Sequence, residues 1–131
     1  MIRKYIVLEK NKNLKIILVL IIIITIFLVS LLRMVRARKL EYYRKQEKLM
    51  KIAAINYFKN YSVYLPTKNG DSKRVVLSSL VKEGYIKKIT DYNNNECDSM
   101  KSYVQIVKNN KETYTYFPYL VCPKYQTKSN L

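Results

Sequence analysis

Histidine and tryptophan are absent from the 131-residue chain, and glycine occurs only twice, at Gly70 and Gly84. Without histidine, the commonest general base and zinc ligand is missing. The two cysteines, Cys97 and Cys122, are too few to complete a structural zinc site. Two glycines build few tight turns, and neither a phosphate-cradling glycine loop nor a G-x-S-x-G elbow occurs. Acidic residues are scarce as well, nine against 25 Lys and Arg. Those in the C-terminal part, Asp71, Glu83, Asp91, Glu96, Asp98 and Glu112, show no spacing that marks a carboxylate pair, and they read as solvated loop acids. The chain is therefore expected not to be an enzyme, and to use no cofactor, metal or small-molecule substrate.

What is present is one long apolar run. From Ile16 to Leu32 only Thr25 and Ser30 interrupt it, and this is near the shortest length that crosses a hydrocarbon core of roughly 30 Å. A cleavable signal peptide would have a shorter apolar stretch followed by small residues. Here Arg33, Arg36, Arg38 and Lys39 follow, so the run is read as an uncleaved transmembrane helix with those four side chains at the membrane surface. This divides the chain into a basic tail (1–15), the span (16–32), a basic then amphipathic helical stalk (33–65) and a small β-rich domain (66–131).

A formal charge of +16 would ordinarily raise nucleic acid as a partner. Its distribution points elsewhere. Arg3, Lys4, Lys10, Lys12 and Lys15 precede the span, and eight more basic residues follow it within 33–51. Such clusters meet anionic lipid headgroups at roughly 1 kcal/mol per residue. Nucleic acid is not expected; a lipid bilayer with anionic headgroups is, together with a protein partner or further copies of the chain.

Charge counting alone favours a cytoplasmic C-terminus, because eight basic residues follow the span and five precede it. The opposite orientation is preferred here. It keeps the charged tail in place, since longer C-terminal domains cross largely regardless of charge. It also gives the cysteines a use: small domains outside the cytoplasm commonly offset a thin core with a disulfide. A Cys97–Cys122 bridge is expected on that ground, two free thiols in a cytoplasmic domain being the alternative. The expected localisation is a single-pass cell-membrane protein, N-terminus cytoplasmic and C-terminal domain extracytoplasmic.

No glycine or proline interrupts the chain between the span and Pro66. The basic part up to Lys51 reads as a solvated, headgroup-level extension. Beyond it Met50, Ala53, Ala54, Tyr57, Phe58 and Tyr61 repeat with the helical period and should cover a sheet. Ile52 and Ile55 lie off that stripe, as scattered surface residues or as a contact with a neighbouring subunit. Asn69-Gly70-Asp71 marks a turn. A strand is predicted over Arg74–Leu77, then a short helix capped by Ser78 and stopped at Gly84. Strands over Tyr103–Lys108 and Glu112–Phe117 should form a hairpin through Asn109, Asn110 and Lys111. A last strand, Tyr119–Cys122, lies between prolines and should be a sheet edge. The tyrosines of this region, Tyr103, Tyr114, Tyr116, Tyr119 and Tyr125, are read as core and cross-strand packing. The expected fold class is α+β, a long N-terminal helix packed on a small antiparallel sheet.

This layout resembles the pilin and pseudopilin class, in which one N-terminal helix is both anchor and cover for a small sheet. Leu77-x-x-Leu80-x-x-x-Gly84-Tyr85-Ile86, then Cys97, Tyr103-Val104-x-Ile106 and Pro118-Tyr119-Leu120-x-Cys122, are similar to pilin-like surface proteins of low-GC Gram-positive bacteria. The resemblance covers about Ala53 to Tyr125. It implies a subunit of a surface assembly or of a secretion, adhesion or DNA-uptake machine. It stops short of the front, where the family's peptidase-site glycine and following glutamate have no counterpart: no acid lies between Glu9 and Glu41. An alternative is a stand-alone anchored module that binds an extracellular polyanion such as a wall polymer through Lys73, Arg74, Lys87, Lys88 and Lys124. A third keeps the domain inside as a regulator at the inner leaflet.

Overall fold

The computed structural model describes residues 2–110 and 112–128, with side chains from Lys10 onward. The side chains of Arg3 and Lys4, and Lys111 of the expected hairpin, lie outside the described residues. The chain forms two compact units, Met1–Lys39 and Leu40–Leu131. Helix α1, Ile2–Asn60, enters both.

The first unit is α1 alone. Leu, Ile, Val and Phe from position 14 to position 32 are exposed on every side of the helix. Nothing in the unit covers them. Thr25 and Ser30 turn their hydroxyls back onto the carbonyls of Ile22 and Ile26, which hides their polarity within the helix. This is a helix long and apolar enough to cross a membrane.

The second unit has the expected α+β layout. The end of α1 packs against a three-stranded antiparallel sheet in the order β1 (Ser72–Val76), β2 (Tyr103–Lys108), β3 (Tyr114–Tyr119). A six-residue helix α2, Leu77–Lys82, follows β1 directly, and a separate two-stranded ladder joins β4 (Val121–Cys122) to β5 (Tyr125–Gln126). The core gathers Met50, Ala53, Ala54 and Phe58 of α1 with Val75, Leu77, Leu80, Val104, Ile106 and Leu120. Burying each of the larger side chains contributes about 2 kcal/mol. The helical stripe therefore covers the sheet as its periodicity requires, although Tyr61 at its end is exposed.

Four expectations need correction. First, the extension is not solvated as far as Lys51. Tyr43 is buried and Tyr42, Gln46 and Glu47 are half-buried, so the covering face starts a full two turns earlier. Second, Leu77 opens α2 rather than ending β1, and the helix N-terminus takes no side-chain cap from Ser78. Its free N–H groups are met from a loop instead: Leu77 donates to the Ser102 carbonyl and Ser78 to that of Ser99. The stop at Gly84 is as expected. With φ +79, Gly84 donates to the Val81 carbonyl and Tyr85 to that of Leu80, the paired bonds of a left-handed helix end. Third, Glu112 and Thr113 belong to the turn. Asn109 donates to the Thr113 carbonyl and Glu112 takes a left-handed φ of 64, so β3 begins only at Tyr114. Fourth, Tyr119 closes β3, and Val121–Cys122 pairs with Tyr125–Gln126 instead of extending the sheet. Pro118 is tolerated within β3 because that strand is a sheet edge.

Candidate functional site

Three features could connect this chain to something else: the basic belt after the apolar run, the region of the bridge, and the open margin of the sheet. Arg33, Arg36, Arg38 and Lys39 are all exposed on α1. At about 100° per residue they point to different sides of the helix, and they occupy only about 9 Å along its axis. A cationic ring of that depth suits a plane of headgroups better than a pocket in one partner. Lys15 and Arg33 lie about 27 Å apart along the helix, close to the hydrocarbon thickness, and both side chains are long enough to reach outward.

Cys97 and Cys122 form a disulfide, with Cα atoms 4.1 Å apart. Cys97 is 3 % and Cys122 8 % exposed. The bridge fastens β4 to the loop that follows α2. Asp98 donates its N–H to the Val121 carbonyl, and Ser102, fully buried, accepts a hydrogen bond from Val121 N–H at its hydroxyl. The two cysteines are 25 residues apart, and closing that loop in the unfolded chain is worth about 3.5 kcal/mol in the chain-entropy account.

Beside the bridge, α1 grips the loops. The Tyr43 ring stacks on Tyr125 at 4.0 Å, and its hydroxyl accepts the Tyr92 N–H. The Tyr42 hydroxyl donates to the Thr90 carbonyl. Glu47 accepts hydrogen bonds from the hydroxyls of Tyr125, at 2.7 Å, and Thr127. Burial, together with that hydrogen bond and the carboxylate charge, pushes the Tyr125 phenol up to about 12. Asp91, expected from the sequence to be a solvated loop acid, is instead buried. Burial alone would raise its carboxyl, but hydrogen bonds from Asn95 and Asn93 and the charge of Lys124 hold it below the usual carboxylate range. This clamp was missed in the sequence. The signal was present: Tyr43, Glu47, Met50 and Ala54 continue the same helical period, but basic residues between them suggested a solvated segment.

The five cations assigned to a polyanion lie on three separate segments of the chain. Lys73 and Arg74 lie exposed on β1. Lys87 and Lys88 follow α2, and Lys88 pairs with Glu96 at 3.3 Å. Lys124, in the turn between β4 and β5, faces Asp91. Ile52 is 45 % exposed and Ile55 half-buried, off the covering face as their spacing requires. Among the described residues, no group of three or more potential metal ligands is gathered together.

The margin of the sheet is the remaining feature. β1 is an outer strand, and beside it runs a groove of ≈ 500 Å³ lined by Tyr57, Tyr61 and Tyr64 together with Lys73, Arg74 and Val76. Arg74 sits over the Tyr103 ring at 4.3 Å, and Tyr103 stacks on Tyr119. Glu83 stands at the α2 end, accepting from the Tyr61 hydroxyl at 3.4 Å. Its charge, ahead of burial, raises the Tyr61 phenol.

No protein-family model matches the chain, and no curated protein or solved structure is significantly similar to it.

Proposed function

We propose that this chain is a non-enzymatic, pilin-like subunit anchored in the cell membrane, with its N-terminus in the cytoplasm and its bridged domain outside. It would serve a surface assembly or a secretion, adhesion or DNA-uptake machine. The observation that carries this reading is the buried Cys97–Cys122 disulfide in the unit that follows a single apolar helix. Disulfides form and persist in oxidising compartments and are rare in the cytosol. A small domain closed by such a bridge is therefore suited to the outer side. Arg33 to Lys39 then lie at the outer leaflet among anionic headgroups, and Ile52 and Ile55 present an apolar strip to a neighbouring subunit.

A subunit is favoured over a polyanion-binding module because the five cations lie on separate segments, and Lys88 is paired with Glu96 of its own chain. The decisive experiment is labelling of intact cells with a membrane-impermeant maleimide, before and after reduction by an impermeant phosphine. Labelling at Cys97 and Cys122 is expected only after reduction. Thiols that label only once the cells are permeabilised, without any reduction, would reverse the orientation and remove the reading.

A further inference from the structure

An outer strand leaves half of its backbone polar groups without a partner, which is why exposed edges recruit other strands. The pairing of β1 with β2 shows which half this is. At one end Leu77 donates to the Ser102 carbonyl, and at the other the Asp71 carbonyl accepts from Lys108. In an antiparallel ladder bonded residues alternate, so Asp71, Lys73, Val75 and Leu77 face β2. The N–H and C=O groups of Ser72 and Arg74, and the N–H of Val76, point to the open margin. There the chain has placed a groove rather than a cover.

The groove has two chemically different sides. Val75, Val104 and Ile106 lie on the face turned to α1 and are buried. A strand added along β1 would turn alternate side chains to that face, where Tyr57, Tyr61 and Tyr64 form an aromatic wall. Its other side chains would share the opposite face with Arg74, whose guanidinium is exposed above Tyr103. Lys73 adds a second cation at the inner margin.

We infer that this margin receives an extended segment of a partner protein in which acidic residues alternate with apolar or aromatic ones. Charge selects the occupant. Residues 52–131 carry twelve basic and six acidic side chains, and β1 itself reads Ser-Lys-Arg-Val-Val. Two copies joined edge to edge through β1 with Lys73 or Arg74 at the two-fold axis, the registers that overlap the strand most fully, would set a cation against its like, which costs stability. An acidic strand reverses that sign. The backbone ladder would supply affinity and the alternation would supply specificity. This inference deepens the subunit reading and rests on it for the source of the strand.

The test uses the full chain in a non-ionic detergent, where binding is read whichever side of a membrane the domain occupies. A failure here is therefore distinct from a failure of the labelling experiment. The probe is a fluorescent heptapeptide, capped at both ends, of sequence Glu-Val-Glu-Tyr-Glu-Val-Glu, followed by fluorescence anisotropy. It is expected to bind about tenfold or more tighter than its Lys-Val-Lys-Tyr-Lys-Val-Lys counterpart and than hepta-glutamate. One of its two alternately N-methylated forms should lose binding while the other keeps it. Arg74→Pro removes an outward N–H that β2 does not use, so the sheet is retained while the edge is blocked. It should weaken binding about tenfold or more, with Arg74→Glu doing the same. Equal binding of hepta-glutamate would make the site a mere charge patch and overturn the inference, as would binding by both N-methylated forms. A chain that ignores the peptide yet dimerises, and loses the dimer on Arg74→Pro, would assign the edge to a second copy instead.

Discussion

Ile22 and Met50 belong to the same helix, yet one is 57 % exposed and the other fully buried. The difference is one of pattern. Around Ile22 apolar residues occupy every face, so no single packing surface could cover them, whereas an apolar solvent such as a bilayer interior could. Around Met50 the buried apolar residues occupy one face, with Lys45, Lys48 and Lys51 exposed on others, and a small sheet is enough. One continuous backbone thus presents two solutions to burial, and they can be separated by substitution. Met50→Asp places an unpaired carboxylate among Leu77, Leu80 and Leu120, a cost of several kcal/mol that exceeds what so small a domain can absorb. Loss of the near-ultraviolet tyrosine dichroism is expected. The double change Ile22→Asp with Ile26→Asp leaves that signal intact, but costs about 6 kcal/mol of insertion and moves the chain from the membrane to the soluble fraction on carbonate extraction. If both variants lose the same property, the two halves of α1 are not independent.

The bridge sharpens the same contrast at a smaller scale. Cys97→Ser combined with Cys122→Ser should cost the second unit about 3.5 kcal/mol, seen as a lower midpoint of thermal unfolding in detergent. Membrane retention should not change, because nothing in 16–32 depends on the bridge. A double variant with an unaltered midpoint would mean that the loop is held by Asp98, Ser102 and Ile89 alone, through the backbone bonds of Asp98 and Ile89 and the Ser102 hydroxyl.

The hydroxyl of Tyr125 tests how α1 is fastened to the loops. Tyr125→Phe removes a hydrogen bond to the Glu47 carboxylate and should cost about 2 kcal/mol at neutral pH. The folded chain keeps the phenol proton up to about 12, whereas the unfolded chain releases it near 10.0. This contribution is therefore complete below pH 10.0 and is lost as the pH rises towards 12. Wild-type and variant midpoints, compared across that interval, should converge. Curves that stay parallel would show that the Tyr125 proton is not linked to folding.

How much of this could be read from the residues depended on whether the signal was local. The α+β layout, the face made by Met50, Ala53, Ala54 and Phe58, and the left-handed stop at Gly84 follow from periodicity and from one residue type at one place. The Cys97–Cys122 bridge followed from the need of a small domain outside the cytoplasm to offset a thin core, with two cysteines leaving one possible pairing. The start of the covering face did not, because Arg44, Lys45 and Lys48 are solvated while Tyr43 and Glu47, their near neighbours, turn inward. A charge run describes some faces of a helix and not all of them. The capping of α2 by the carbonyls of Ser99 and Ser102 was illegible for another reason: the partners are backbone groups about twenty residues away, and backbone groups leave no trace in sequence. The same holds for the margin of β1, since which strand becomes an edge is decided by topology, and only its Lys73 and Arg74 hint that the edge is guarded.

The smallest change in stability is expected where the largest change in assembly is. Ile52 and Ile55 lie off the covering face, and replacing both by Ser should shift the unfolding midpoint little, by about 0.5 kcal/mol at exposed Ile52 and about 1 kcal/mol at half-buried Ile55. Ile52 and the open part of Ile55 add little to the fold of one chain. If they meet a neighbouring subunit, Ile52→Ser with Ile55→Ser should abolish the higher-mass products formed when intact cells are treated with a lysine-reactive cross-linker. The lysines that react, Lys48, Lys51 and Lys59, are exposed beside them and unchanged in the variant. Retention of every product would leave these two isoleucines as ordinary surface residues, and the contact between subunits would have to be sought on another face.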